Sequence, residues 1–524
     1  MGKSVRKYRK NRDYEYVDPS TASAYYDDDK DSEHAAGSVI DHDLLASPRH
    51  FIPLEELAQG ESSPLQVVTL LVAACVGPTV LVMPFVFLQG GFVMTIFMVL
   101  FVGVASYWAS SGLIRLGVDH GIYSFQGLAQ LAFGFRGAFV VAAAQFLVSL
   151  GLILTYLTII FQDFPVLLGH SLHLDFDANG WPMETDNRLA SKILSDRTLF
   201  AELISFIVVI PMCLFLYSYR KMQNWTAVMT FLLIIASLCA VGKARSYHNS
   251  NTPTMSQGFT RDYVAVPSTL CQAFGILSTQ FACQHHTFHT FYALRNRSIA
   301  LFSRISLFAS LLVLYLAFSF GIGGYVSFLG ATKPDVTQNY DFEANRSMLP
   351  FWLFLPVCAM ICIPMEVISS RFTVLQLARA TADHDLAPEE ALFRAQPEGK
   401  QYEATSGSDP NTSSLEHKTV QCGEDASYTR VHVVITFVLL VILVQIVALR
   451  SPLDLGNVLS VTGGLAGIVL IFVFPAACYL KLPVSDDRRV GEITARRVYT
   501  KYVPWASIIV GIVAAIACII ANVA

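Results

Sequence analysis

Charge is what this 524-residue chain has least of: Asp, Glu, Lys and Arg make up 15% of it against 53% hydrophobic residues. Soluble domains carry roughly 25% charged residues, and no soluble core absorbs that much apolar surface, so the composition reads as a polytopic membrane protein. A disulfide framework is missing too. Of the ten cysteines, Cys75, Cys213, Cys239, Cys271, Cys283, Cys358, Cys362, Cys478 and Cys518 fall in apolar windows, where a thiol packs as a small hydrophobe, and Cys422 lies in a polar stretch. The opening MGKSVRKYRKNRDYEYVDPS has no apolar h-region, so no cleavable signal peptide is expected and the first span acts as its own insertion signal. No basic domain interleaved with aromatics is present, which argues against a nucleic-acid partner. No nucleophile–base spacing or complete metal motif stands out, so neither an enzyme nor a cofactor or metal requirement is expected.

What is present is a series of eleven apolar windows, at about 65–88, 91–114, 137–161, 200–217, 224–242, 268–292, 303–329, 350–370, 431–449, 456–480 and 503–522. Gln89-Gly90 alone separate the first two. Lys and Arg near span ends stay cytosolic, and a cytosolic N-terminus places Arg115, Arg136, Arg220, Lys221, Arg295, Arg297, Arg304, Arg371 and Arg379 on that side. Lys481, Arg488, Arg489, Arg496, Arg497 and Lys501 follow them. The expected orientation is N-inside, C-outside. Residues 65–522 then form the transmembrane domain. Residues 1–64 and the insertion 380–428 are too poor in apolar residues to form a core and read as disordered cytosolic segments.

This topology leaves Asn345, in Asn345-Arg346-Ser347, as the one sequon available for glycosylation, because Asn224, Asn296 and Asn411 fall on the cytosolic face or within a span. The N-terminal tail carries Asp41-His42-Asp43-Leu44-Leu45 and Tyr14-Glu15-Tyr16-Val17. Both resemble endosomal sorting signals read by adaptors, and strings this short also recur by chance. The membrane is therefore left open between the plasma membrane and an endolysosomal or vacuolar one.

The most informative segment is LQVVTLLVAACVGPTVLVMPFVF, residues 65–87, an apolar run interrupted at its centre by Gly77-Pro78. A helix in lipid has no water to satisfy a broken hydrogen-bond ladder, so such a break survives only where protein or a wet cavity surrounds it. Secondary transporters place their substrate at such breaks. The alternative is a packing kink.

VGPTVLVMPFVFLQGG at 76–91 resembles the first-span signature of the amino acid/auxin permease family. Further resemblances fall in order: LTYLTIIFQDFP at 154–165, IPMCLFLYSYRKM at 210–222, FACQHHTFHTFYALRNRS at 281–298, IPMEVISSR at 363–371 and LSVTGGLAGIVLIFVFPAACYL at 459–480. The resemblance implies an all-α LeuT-like fold of eleven transmembrane helices. Spans 1–5 and 6–10 form a five-plus-five inverted repeat in it, and spans 1 and 6 are broken. It also implies a secondary active transporter of amino acids, with small neutral ones expected, working by alternating access. An amino-acid sensor with a transporter fold and little flux is the alternative. A channel is disfavoured, since no run of repeated carbonyls or charged ring is visible.

On this reading the substrate carboxylate meets free N–H groups and the helix dipole near Gly77 and Thr79, while carbonyls of Ala74 and Cys75 hold its ammonium group or a cation. Ser278, Thr279 and Gln280 occupy the segment where span 6 unwinds in the family, and Tyr156 on span 3 faces the site. Gln145, Gln272 and Glu202 are further polar groups in apolar stretches, Glu202 being read as a solvated helix-start acid.

The coupling ion is where the chain departs from the pattern. Sodium-coupled relatives carry oxygen ligands where this sequence has Ala73, Met360 and Cys362, and Na⁺ prefers oxygen to sulfur. Protons are therefore the expected coupling cation, with Glu366 and His285 as candidates because an intramembrane ionisable group is a functional candidate and histidine titrates near physiological pH. The competing reading lets Glu366 pair with Arg371 near the cytosolic end and leaves His286 and His289 solvated at the cytosolic mouth. With no carboxylate placed beside the histidines by the sequence, a metal site is the weaker reading.

Overall fold

The computed structural model describes residues 60–177, 180–184, 189–216, 219–251, 264–340, 349–382, 430–450, 453–482 and 502–523. Sixteen α-helices run through them, in chain order α1 (Pro64–Cys75), α2 (Met83–Gly90), α3 (Phe92–His120), α4 (Phe125–Ser171), α5 (Leu189–Ser195), α6 (Arg197–Ile204), α7 (Ile210–Phe215) and α8 (Tyr219–Asn251). After them come α9 (Leu270–Gln280), α10 (Gln284–Ala293), α11 (Ile299–Phe328), α12 (Leu349–Ala382), α13 (Arg430–Arg450), α14 (Leu455–Thr462), α15 (Phe474–Lys481) and α16 (Val503–Val523). The described residues of the eleven apolar windows fall on these helices and on the 3₁₀ and π turns and short breaks between them. By length and composition, eight helices among the described residues qualify as membrane spans, and a ninth counts if the bent pair Pro64–Cys75 and Thr79–Gly90 is one span. Val433–Ala448 is a shorter apolar helix, and window six is divided between α9 and α10.

The helix starts carry local signals. Ser63 accepts from Gln66 N while Gln66 Oε1 accepts from Ser63 N at 2.8 Å, a capping box with Pro64 in the first turn. Ser124 caps α4 and Ser298 caps α11. Asp196, and not Glu202, is the acid that opens α6, accepting from Thr198 N and Leu199 N. Glu202 accepts from Gln445 Nε2 of α13 at 2.8 Å, so the sequence reading of it as a solvated helix-start acid is corrected. Window three begins early, because α4 extends back to Phe125 across a non-helical Gly134. Residues 60–63 are also not part of a free tail: Ser62 N donates to Ala293 O at 2.8 Å and Arg295 N donates to Ser62 O at 3.0 Å. The start of α1 and the end of α10 are thereby tied at one end of the bundle.

The long helix α4 packs most extensively along α12, and α9 lies against α14 and the π-turn Gly463–Gly467 that follows it. That approach is backbone to backbone: a Cβ on Gly463 would collide with the Gly275 carbonyl. A wide π-turn at 463–467 carries the glycine-rich strip against α9, and a second follows at 469–473. Asp41, Leu44, Leu45, Asn345, and the segments 1–59 and 383–429 expected to be a tail and an insertion, lie outside the described residues.

Candidate functional site

Two interrupted helices meet in the interior. The α1 helix stops at Cys75, Gly77 takes φ +39°, a 3₁₀ turn runs over Gly77–Val82, and α2 resumes at Met83. Only glycine adopts that φ cheaply, and the space is tight as well: a Cβ there would lie 3.1 Å from the Tyr156 hydroxyl and 3.3 Å from Cys362 Sγ. The Thr79 hydroxyl donates to the Val76 carbonyl. The second interruption falls between α9 and α10, at Phe281–Cys283.

That position corrects one expectation. Ser278, Thr279 and Gln280 do not unwind; they form the last turn of α9. Ser278 Oγ donates within its own helix to Phe274 O and Thr279 Oγ1 donates to Leu459 O at 2.6 Å, so both hydroxyls are spent away from α1. Gln280 alone bridges the two breaks, its Nε2 donating to Thr79 O at 2.7 Å. Ala74, Cys75, Gly77, Thr79 and Tyr156 are all buried around the first break.

Around the second break the sequence reading missed a polar lining. Ser106 Oγ donates to Phe281 O at 2.7 Å, Gln284 Nε2 donates to Ser106 Oγ at 3.1 Å, and Cys283 Sγ lies 3.7 Å from Ser106 Oγ and 3.6 Å from Ser110 Oγ. Small hydroxyls in an apolar window were the available signal, but within a helix they also back-bond to their own carbonyls, so the sequence could not single them out.

One turn along α12 from Cys362, Glu366 sits with its side chain fully buried between two histidines of α10. His285 Nε2 is 3.1 Å from Oε2 and His286 Nε2 is 3.0 Å from Oε1. His286 Nδ1 hydrogen-bonds the Tyr219 hydroxyl. The Tyr219 ring stacks on His289 at 5.2 Å and 10°. His285 Nδ1 is buried with no hydrogen-bond partner among the described residues. The competing reading, in which Glu366 pairs with Arg371 near the cytosolic end or reaches water, is not what is found: both its oxygens face histidines and the residue is buried, as is His286, which that reading left solvated. His289 is partly exposed. A carboxylate does stand beside the histidines, contrary to the sequence reading, because α12 and α10 are distant in sequence and adjacent in space. One donor atom from each of His285, His286 and Glu366 lies within 4.8 Å of the other two. Each Glu366 oxygen already faces a ring nitrogen, so the arrangement as it stands is a hydrogen-bond network.

Burying a carboxylate costs several kcal/mol unless it is paired, and here each oxygen is met by an imidazole nitrogen. A chain of ionisable side chains thus runs from partly exposed His289 past Tyr219 and His286 to Glu366 and His285, one helical turn from Cys362, whose Sγ faces Gly77 at the break in the first span.

A multi-pass helical membrane protein whose first apolar helix is broken against a buried ionisable cluster is a transport-type architecture. The chain belongs to the family described as "Transmembrane amino acid transporter protein", whose sequence profile matches residues 60–523. Similar proteins include the "Putative sodium-coupled neutral amino acid transporter 11" of Bos taurus, 23% identical over 421 residues that cover 80% of this chain and 75% of that protein. The Homo sapiens protein of the same name is 23% identical over 402 residues, 76% and 82% of the two chains. Among solved structures, MHP1, a nucleobase-cation-symport-1 family transporter, matches 91% of this chain and 95% of its own at 11% identity and a TM-score of 0.44. A Na⁺-coupled sialic acid symporter matches 88% and 89% at 14% identity and a TM-score of 0.40. Likeness at that level bears on neither substrate nor ion.

Proposed function

We propose that this chain is a secondary active transporter of small neutral amino acids that works by alternating access and couples to protons without sodium. The observation that carries the coupling is Glu366 held between His285 and His286, wholly buried, at 3.0 and 3.1 Å. A proton arriving through His289 and Tyr219 changes the charge of this cluster, and Cys362, one turn away, passes the change to the break at Gly77. Sulfur and methyl groups at Ala73, Met360 and Cys362 leave Na⁺ only backbone oxygens there.

Substrate binding is assigned to the first break. Gly77 and Thr79 offer N–H groups to the carboxylate, Ala74 and Cys75 offer carbonyls to the ammonium group, and Tyr156 and Gln280 line the space between the two breaks. Thr279 acts one step removed, by holding α9 on α14 through Leu459 O, and Ser278 bonds back into α9. The eleven windows form eleven spans in a five-plus-five inverted repeat, the second discontinuous span being α9 with α10. The N-terminus is cytosolic, with residues 1–59 and 383–428 as soluble segments.

Radiolabelled neutral amino-acid uptake into proteoliposomes tests the ion. Uptake is expected to survive replacement of Na⁺ by choline and to rise severalfold with an inward proton gradient. Strict Na⁺ dependence overturns proton coupling, and saturable binding without flux would instead mean a sensor.

Topology has its own test. Asn345 should carry the only glycan, so Asn345→Gln collapses the endoglycosidase-sensitive mobility shift and Asn411→Gln leaves it intact. A shift that survives the first change reverses the orientation. The Asp41-Leu44-Leu45 signal and its adaptors, and with them the choice between a plasma and an endolysosomal membrane, belong to the same reading.

A further inference from the structure

His285, His286 and Glu366 bring together more than a path for a proton. His285 and His286 are consecutive on α10, where neighbouring side chains ordinarily diverge, yet their ring centroids lie 3.8 Å apart at a tilt of 43°. Both Nε2 atoms reach one carboxylate on α12, at 3.1 and 3.0 Å. The histidine and glutamate side chains are wholly buried, and one donor atom from each of the three residues lies within 4.8 Å of the other two.

Two imidazole nitrogens and a carboxylate converging from two helices make a donor set of the zinc type. Zn²⁺ holds His N and Glu O at about 2.0–2.2 Å, which in a tetrahedron separates its ligand atoms by about 3.3–3.6 Å. The observed N–O separations fall short of that by about 0.3 Å at the lower end, a difference that side-chain rotation supplies. The fourth position is left for water. Calcium and magnesium take several oxygen ligands, more than one carboxylate offers. Copper(I) selects sulfur, and the flanking thiols are engaged elsewhere: Cys362 Sγ meets Met229 Sδ at 3.4 Å, and Cys283 Sγ faces the Ser106 and Ser110 hydroxyls at 3.7 and 3.6 Å.

A ligating histidine is oriented by a hydrogen bond to its other ring nitrogen. His286 has that partner, since its Nδ1 meets the Tyr219 hydroxyl, and the Tyr219 ring is in turn stacked on His289. With a metal on Nε2, the ring proton of a neutral histidine sits on Nδ1. That of His286 is donated to the Tyr219 oxygen. That of His285 occupies an Nδ1 that has no hydrogen-bond partner among the described residues, so no existing bond is lost there. The metal thus replaces the two contacts between the rings and Glu366, and partly exposed His289 marks the way in.

We propose that His285, His286 and Glu366 form a binding site for a divalent transition-metal ion of the zinc type, with Tyr219 as the positioning residue that orients His286. The bound ion pins α10 to α12 and takes the place of the coupling proton, so zinc inhibits uptake. The inhibition rests on the coupling proposed above; the metal site does not.

Full-length protein without a polyhistidine tag, in lipid nanodiscs, is equilibrated with zinc sulfate, and the zinc retained after gel filtration is measured. Wild type should hold one zinc more than Glu366→Gln or His286→Ala. His170→Ala, which removes a ring stacked on Phe176, should match wild type. Tyr219→Phe should weaken binding about 10–100-fold while keeping the site. Zinc X-ray absorption of the wild-type protein decides the matter even if the cluster variants fail to fold: nitrogen and oxygen neighbours at about 2.0–2.2 Å are expected. Sulfur neighbours at about 2.3 Å would give the metal to cysteines and overturn the proposal. So would a wild-type protein that retains no zinc, or cluster variants that retain as much as wild type. In proteoliposomes zinc should lower uptake severalfold and a chelator should restore it. Uptake indifferent to zinc in protein that binds it overturns the inhibition. Because zinc content and absorption are read without uptake, their failure is distinguishable from a failure of proton-coupled transport.

Discussion

Gly77→Leu is expected to reduce amino-acid uptake to background while the protein still inserts. The backbone at Gly77 sits at φ +39°, where an L side chain costs about 1–2 kcal/mol, and its Cβ would arrive 3.1 Å from Tyr156 Oη and 3.3 Å from Cys362 Sγ. Both neighbours line the proposed substrate space, so the branched part of leucine has only that space to enter. Gly77→Ala bears the same backbone strain with one methyl group, and partial uptake is expected from it. The measurement is radiolabelled uptake normalised to the amount of reconstituted protein. Wild-type uptake by a well-reconstituted Gly77→Leu protein would remove the substrate site from the first break.

The second large effect is expected at Glu366. Glu366→Gln keeps the volume of the side chain but removes its ionisation, so uptake should lose its rise with an inward proton gradient and fall at least about tenfold, equivalent to roughly 1.4 kcal/mol. Glu366→Ala goes further, leaving His285 and His286 facing an empty space, and the loss of one partner from a buried charged network costs about 3–5 kcal/mol of stability. Its signature is a lower yield of folded protein, which separates it from the coupling effect in the glutamine variant. His285→Ala should also lose the pH response, because it removes the ring that meets Oε2 at 3.1 Å. The measurement is uptake against imposed pH gradients at matched protein levels. A Glu366→Gln protein that keeps its full pH response would assign coupling to another group.

The histidine cluster illustrates how sequence and structure divide the information. Sequence alone identifies His285, His286 and His289 as a titratable group and Glu366 as an acid in an apolar window, because polarity in a hydrophobic run is visible one residue at a time. It does not say that they meet. The two segments are about eighty positions apart, and an adjacent pair such as His285-His286 points in different directions on a helix, so linear reasoning sent one ring inward and the other to water. Packing of α10 against its neighbours buries both, and the bidentate carboxylate gives each a partner.

What the sequence by itself determined is membrane residence, the places where helices lie, the break at Gly77-Pro78 and the family, since each follows from local composition or from order along the chain. Hydrophobic run length is set by bilayer thickness and needs no tertiary knowledge. Only the tertiary structure decided where the second break falls, that Ser278 bonds back into α9 and Thr279 reaches α14 while Gln280 turns to Thr79, and that Ser106 and Tyr219 belong to the interior. In an apolar bundle every polar side chain must find a partner, and the partner is chosen by which helix packs alongside, a choice that hydropathy along one chain does not encode.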